Sequence, residues 1–167
     1  MKLSDCDRTI VFDLDGTLLD TAPDLIAAIN YALRNSVGTP LDPGVIRSLI
    51  SKGGREMIKF CLQNNGLDHS EHELHMIFEQ FIEYYKKNLA INTKPFPGLI
   101  QELDRLSNFG CKLAVCTNKL ESLARELLSA FGYLTTFTRS QAATHFPCAS
   151  RILVTYLVLF PVLVVAL

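Results

Sequence analysis

Hydrophobic positions follow two rhythms along this chain, and the switches between them divide it. Thr9-Ile10-Val11-Phe12 is a short apolar, β-branched run, the composition of a strand buried on both faces of a parallel sheet. From Thr21 the spacing becomes helical: Leu25, Ile26, Ile29 and Leu33 recur on one face, with Thr21 as expected N-cap and Pro23 in the first turn. After a turn-rich stretch from Gly38 to Pro43, short helices are expected around Val45 to Ser51 and from Glu56 to Asn64. A long one follows over Glu71 to Lys87, with Leu74, Ile77, Phe78, Phe81 and Tyr85 at its apolar positions and Tyr84 beside them. Residues 20 to about 90 therefore read as an all-helical insertion. Pro95-Phe96-Pro97-Gly98 punctuates the return to a strand-based core. There Leu99, Leu103 and Leu106 predict a helix stopped near Gly110, Lys112 to Cys116 a second apolar strand, and Glu121 to Phe131 a further helix. The class is α/β.

Composition narrows the picture in three ways. At 167 residues the chain buries one proper core, with room for a small second lobe. A net charge of -1 argues against nucleic acid or an anionic surface as partner. The five cysteines (Cys6, Cys61, Cys111, Cys116, Cys148) form no CxxC pair and leave an odd one, which reads as a reducing, cytoplasmic setting rather than a disulfide framework. The first residues, MKLSDCDRT, hold no apolar signal core, so secretion is not expected.

The chemistry gathers where the first strand ends. Asp13 and Asp15 project from its carboxyl end, the edge at which open α/β sheets bind ligands; Gly16 permits a close turn there and Thr17 adds a hydroxyl. Two acids this close repel, and a hard divalent cation such as Mg²⁺ is the simplest compensation, with Asp13 and Asp15 as its candidate ligands. The second strand repeats the geometry. Thr117 and Asn118 sit at its carboxyl end, ahead of a helix whose first N–H groups would face an anion held there. Cys116 reads as a buried strand residue. Within the helical insertion, Gly53-Gly54 between Lys52 and Arg55 offers free N–H groups and cationic flanks to an anionic substrate, although the spacing is not that of a Walker loop. His69-x-x-His72-x-x-His75 lacks an acid to complete a metal set and reads as a solvated helix start.

FDLDGTLLDT, followed by the TNK of Thr117 to Lys119, resembles the motifs of the haloacid-dehalogenase-like phosphohydrolases, and the resemblance covers Thr9 to about Gly132. It implies a Rossmann-like parallel-sheet core, here truncated (residues 1–19 and 91–135), with an inserted all-helical cap (20–90). It also implies Mg²⁺-dependent hydrolysis of a small phosphorylated metabolite, 2-phosphoglycolate being favoured. Asp13 would attack phosphorus, Asp15 would act as acid and base, and Thr17, Thr117 and Asn118 would hold the phosphoryl oxygens. The metal would rest on Asp13 and the Asp15 main-chain carbonyl, and the Gly53-Gly54 loop of the cap would face the active site. Another sugar-phosphate phosphatase or a phosphomutase of the family would share every one of these residues.

The pattern breaks near residue 136. After Glu126 there is no acidic residue and after Lys119 no lysine, whereas similar enzymes need both, so this chain is expected to be impaired. Ile152 to Leu167 is nearly uninterrupted apolar sequence, yet shorter than the roughly 20 residues of a membrane helix, broken by Pro161 and flanked only by Arg151. A non-enzymatic, membrane-tethered fragment is the reading that stretch invites. A frameshift between about Gly132 and Thr136 explains more. Read one base earlier, the codons of Phe137 to Leu153 permit FHAIAGGDTFPVRKPDP, which resembles the family's third-motif region and restores the lysine. Residues 136–167 are accordingly expected to be an aberrant tail.

Overall fold

The computed structural model describes residues 9–138, 152–153 and 162–165, and the chain divides into two units, 1–20 with 95–167 and 21–94. The first is the α/β unit. β1 (Thr9–Phe12) lies beside β4 (Lys112–Thr117) in parallel, with Thr9 opposite Lys112 and Phe12 opposite Val115. From Leu113 to Thr117 every residue of β4 is buried, as a strand covered on both faces requires. The chain leaves this unit through β2 (Leu19–Asp20) and returns through β3 (Lys94–Pro95), and these two short strands pair with each other.

Helices cover the sheet with the faces their sequence prescribes. α5 (Leu99–Asn108) starts after Gly98, whose φ of 81° is left-handed, and buries Leu103. α6 (Glu121–Ala130) buries Leu123, Ala124, Leu127 and Leu128, each worth up to about 1.5–3 kcal/mol for a leucine removed from water. In α7 (Leu134–Thr138) the fully buried Phe137 meets Phe12 edge-on, ring centroids 6.4 Å apart.

Two strands come from the region read as an aberrant tail. β6 (Val162–Val165) pairs in parallel with the other side of β1, Thr9 opposite Val162 and Phe12 opposite Val165, while β5 (Ile152–Leu153) runs antiparallel to β4. The sheet order is β5-β4-β1-β6, so it is mixed rather than wholly parallel. A β-branched apolar run is as good a strand as a membrane segment, and β1 presents an unpaired ladder that such a run satisfies. Among the described residues no helix is long and apolar enough to cross a membrane.

The second unit is helical: α1 (Ala22–Leu33), α2 (Pro43–Arg47), a 3-10 turn over Ile50–Lys52, α3 (Gly54–Asn64) and α4 (Glu71–Lys87). α1 packs on α4, burying Leu25, Ala28, Ile29 and Leu33 on one side and Leu74, Phe81 and Tyr85 on the other. Tyr31 and Tyr84 stack with centroids 4.4 Å apart. α4 is bounded by a capping box: Glu73 N–H donates to Ser70 Oγ (3.2 Å) and Ser70 N–H to Glu73 Oε2 (2.8 Å). Glu71 and Glu73 sit at the positive end of its dipole, Lys86 and Lys87 at the negative end.

Three expectations shift. Thr21 occupies the N-cap of α1 with helical backbone angles, so its hydroxyl makes no capping bond and is buried without a hydrogen-bond partner among the described residues. The helical unit runs to Lys94 rather than to about Ala90, because the buried carboxylate of Asp24 in α1 gathers the return segment. It accepts from Asn92 N–H (2.9 Å), Asn92 Nδ2 (3.0 Å), Thr93 N–H (2.9 Å) and Thr93 Oγ1 (2.7 Å). Cys61 and Cys116 are free and buried, with burial pushing the Cys61 thiol up to about 11, but Cys111 is disulfide-bonded, which the odd cysteine count did not foretell.

Candidate active site

The β1–β4 register decides what meets at the sheet edge. Phe12 lies opposite Val115, so Asp13 leaves β1 level with the end of β4, where Thr117 stands. The half-buried Asp13 accepts Leu14 N–H on Oδ1 at 2.8 Å, which turns its carboxylate back along its own strand end. Beyond it the backbone folds into a tight turn: Leu14 C=O receives both Leu18 N–H and Leu19 N–H at 3.1 Å, and Gly16 N–H donates to Leu19 C=O at 2.8 Å. Gly16 has φ of 82° with open space where a Cβ would stand, so glycine is required for conformation and not for room. Thr17 is half-buried on that turn.

From β4 come Thr117, almost wholly buried, and the half-buried Asn118. Thr117 Oγ1 accepts Lys119 N–H at 3.2 Å, which leaves its own hydroxyl proton as a donor. Lys119 stands here too, a side chain to which the sequence alone gave no role. Its Nζ donates to Asp15 Oδ1 at 2.8 Å, with side chains only 5% and 9% exposed, a buried ion pair between residues 104 apart. The signal was present, since a lysine two places beyond a buried strand end stands opposite the acids of the neighbouring strand.

Two carboxyl groups and one amine thus gather at this edge. The donors fit a hard cation. Mg²⁺ keeps several waters and is held through one or two carboxylates with substrate phosphate, and a carboxylate such as that of Asp13 is the kind of donor it takes. No cluster of three or more His, Cys, Asp or Glu occurs among the described residues, the histidines included: His75 faces Glu79 at 3.4 Å along α4.

Lys52 and Arg55 lie in the helical unit. Gly53 has φ 89° and ψ 159°, a region open essentially to glycine alone, and a Cβ on Gly54 would stand 2.5 Å from Phe81 Cε1. Both glycines are thus demanded by the fold itself. Arg55 Nη2 is bound to Glu71 Oε2 at 2.6 Å, whereas Lys52 is exposed.

A strand pair that carries two acids, a hydroxyl, an amide and a lysine at one sheet edge, with a helical unit inserted after the first strand, defines the fold as an α/β core with a helical insertion. Residues 10–147 match the haloacid dehalogenase-like hydrolase family, running past residue 136, and the chain belongs to that family. It is 40% identical over 125 residues to a phosphoglycolate phosphatase of Mesorhizobium japonicum, covering 74% of this chain and 54% of the relative. With that of Agrobacterium fabrum it shares 38% over 122 residues, 73% and 52% of the two chains. The chain thus spans about half the length of these curated relatives. Among solved structures, a predicted phosphoglycolate phosphatase from Haemophilus somnus superposes with a TM-score of 0.69 at 30% identity, covering 77% of this chain and 59% of its own.

Proposed function

We propose that this chain carries the site of a Mg²⁺-dependent phosphatase that hydrolyses a small phosphate monoester, 2-phosphoglycolate, in the cytoplasm. The observation that carries the reading is the parallel register of β1 and β4, which delivers Asp13 and Asp15 to the same edge as Thr117 and Asn118. The names of the similar proteins support the substrate. Asp13 attacks phosphorus in line and forms an aspartyl-phosphate, splitting one difficult displacement into two. Asp15 gives a proton to the leaving alkoxide and takes one from the attacking water. The hydroxyls of Thr17 and Thr117 and the amide of Asn118 hold the phosphoryl oxygens. Asp13 and the Asp15 carbonyl would hold Mg²⁺, which would supply the positive charge that a carboxylate needs to approach a phosphate dianion. Within the helical unit, Lys52, the N–H groups of Gly53 and Gly54, and Arg55, which Glu71 pairs, form a loop with the chemistry to receive an anion.

Turnover is expected to be slow, because no acid follows Glu126 to add to the metal's ligands. Phosphate release from 2-phosphoglycolate by the purified chain, with and without Mg²⁺, tests the reading. A slow Mg²⁺-dependent release that Asp13→Asn lowers by about 100-fold or more supports it. Release indifferent to both overturns it.

A further inference from the structure

We propose that Lys119 is the positioning residue for Asp15, a role that rests on the reading of Asp15 as acid and base. The two side chains are nearly sealed from solvent, and their contact of 2.8 Å is a charge-assisted hydrogen bond. Lys119 is itself anchored at its stem, since its N–H is bound to Thr117 Oγ1 at 3.2 Å. A flexible four-carbon side chain is therefore held at both ends, and the carboxylate at its tip is held with it. The pair commits Asp15 Oδ1, so proton transfer falls to Oδ2. Asp15 enters the first half-reaction with a proton taken up on Oδ2 from solvent, Oδ1 still accepting from Lys119, and passes it to the leaving alkoxide as the alkoxide's bond to phosphorus breaks and the Asp13 oxygen bonds to phosphorus. In the second, Oδ2 recovers a proton from the water whose oxygen bonds to phosphorus, and the Asp13–phosphorus bond breaks. Lys119 acts through Asp15, whose carboxylate it holds.

A residue that acts through the acid has an effect graded by how much the leaving group needs one. The test compares an alkyl ester, 2-phosphoglycolate, with p-nitrophenyl phosphate, whose leaving group departs without a proton. In single turnovers of the full chain, Lys119→Met is expected to lose about 10- to 100-fold on the alkyl ester and under about threefold on the aryl ester. Lys119→Arg is expected to restore part of the loss. Equal losses on both esters mean that Lys119 only supports the fold, and overturn the proposal. Acetylation of the native chain, read lysine by lysine by mass spectrometry, gives a second measurement free of catalysis. Lys119 is expected to react roughly tenfold or more slowly than the exposed Lys52, and Asp15→Asn to remove that protection. Equal reactivity overturns the proposal. Should neither ester turn over, the phosphatase reading fails for this chain, and the labelling alone decides whether Lys119 holds Asp15.

Discussion

Asp24 shows how much one buried carboxylate holds. It is 3% exposed and takes four donors from Asn92 and Thr93, so its removal leaves two backbone N–H groups, a hydroxyl and an amide without their acceptor. Asp24→Ala is expected to cost about 3 kcal/mol, the desolvation penalty of buried donors left unpaired. Urea unfolding measures that cost, and amide exchange at Asn92 and Thr93 should accelerate before any other part of the helical unit. A loss under about 0.5 kcal/mol, the scale of a surface substitution, would contradict the clamp. Nothing in the local sequence marks Asp24, because a first-turn acid reads as a partner for the helix dipole. Its true partners lie 68 and 69 residues away. Lys119 escaped for a related reason, its partner being 104 residues earlier. That Asp13 and Asp15 follow β1 and that Thr117 and Asn118 stand at the end of β4 was legible because an apolar run fixes where a strand ends.

Elements were legible in proportion to the length of their periodicity. α4 matches its expected bounds, Glu71–Lys87, since five apolar positions at helical spacing leave no alternative. The shorter stretch before it did not: one expected helix from Val45 to Ser51 is instead α2, ending at Arg47, and a separate 3-10 turn over Ile50–Lys52. The start of α4 carries a pH dependence. Hydrogen bonds from Ser70, backbone first, hold the Glu73 carboxyl below its ordinary range, helped by His69 and His72. A carboxyl lowered on folding adds stability that is present above its unfolded value and is lost as the pH falls through its folded one. Acid should therefore fray the first turn of α4, seen as faster exchange of the Glu73 amide below about pH 4. Glu73→Gln should make that exchange independent of pH beyond the intrinsic chemistry; an unchanged acid dependence in the variant would assign it elsewhere.

At the scale of the whole molecule, the α/β core with an all-helical insertion was readable from the change of rhythm at Thr21 and Pro95, whereas the last strands were not. A membrane anchor and a buried strand use the same residues, and pairing partners decide between them. β6 covers one side of β1, so a chain ending at Pro161 should expose the ladder of Thr9–Phe12. Such a chain is expected to aggregate at concentrations where the full chain stays dispersed, as light scattering would show; equal dispersion would mean that β1 does not depend on β6. The expected frameshift is testable in the codons of residues 132–167. An open frame one base earlier that reads FHAIAGGDTFPVRKPDP supports it, and a blocked frame makes the written tail the native one.

The Asp24 clamp has a consequence for how such a protein changes over time. It brings residue 24 against residues 92 and 93, so the two ends of the helical unit meet inside that unit itself. A segment whose ends are joined by its own hydrogen bonds is a cassette. It is replaceable, lengthened or shortened between its ends, while the two short crossing strands stay where they are. The α/β unit never has to be rebuilt for the helical one to change.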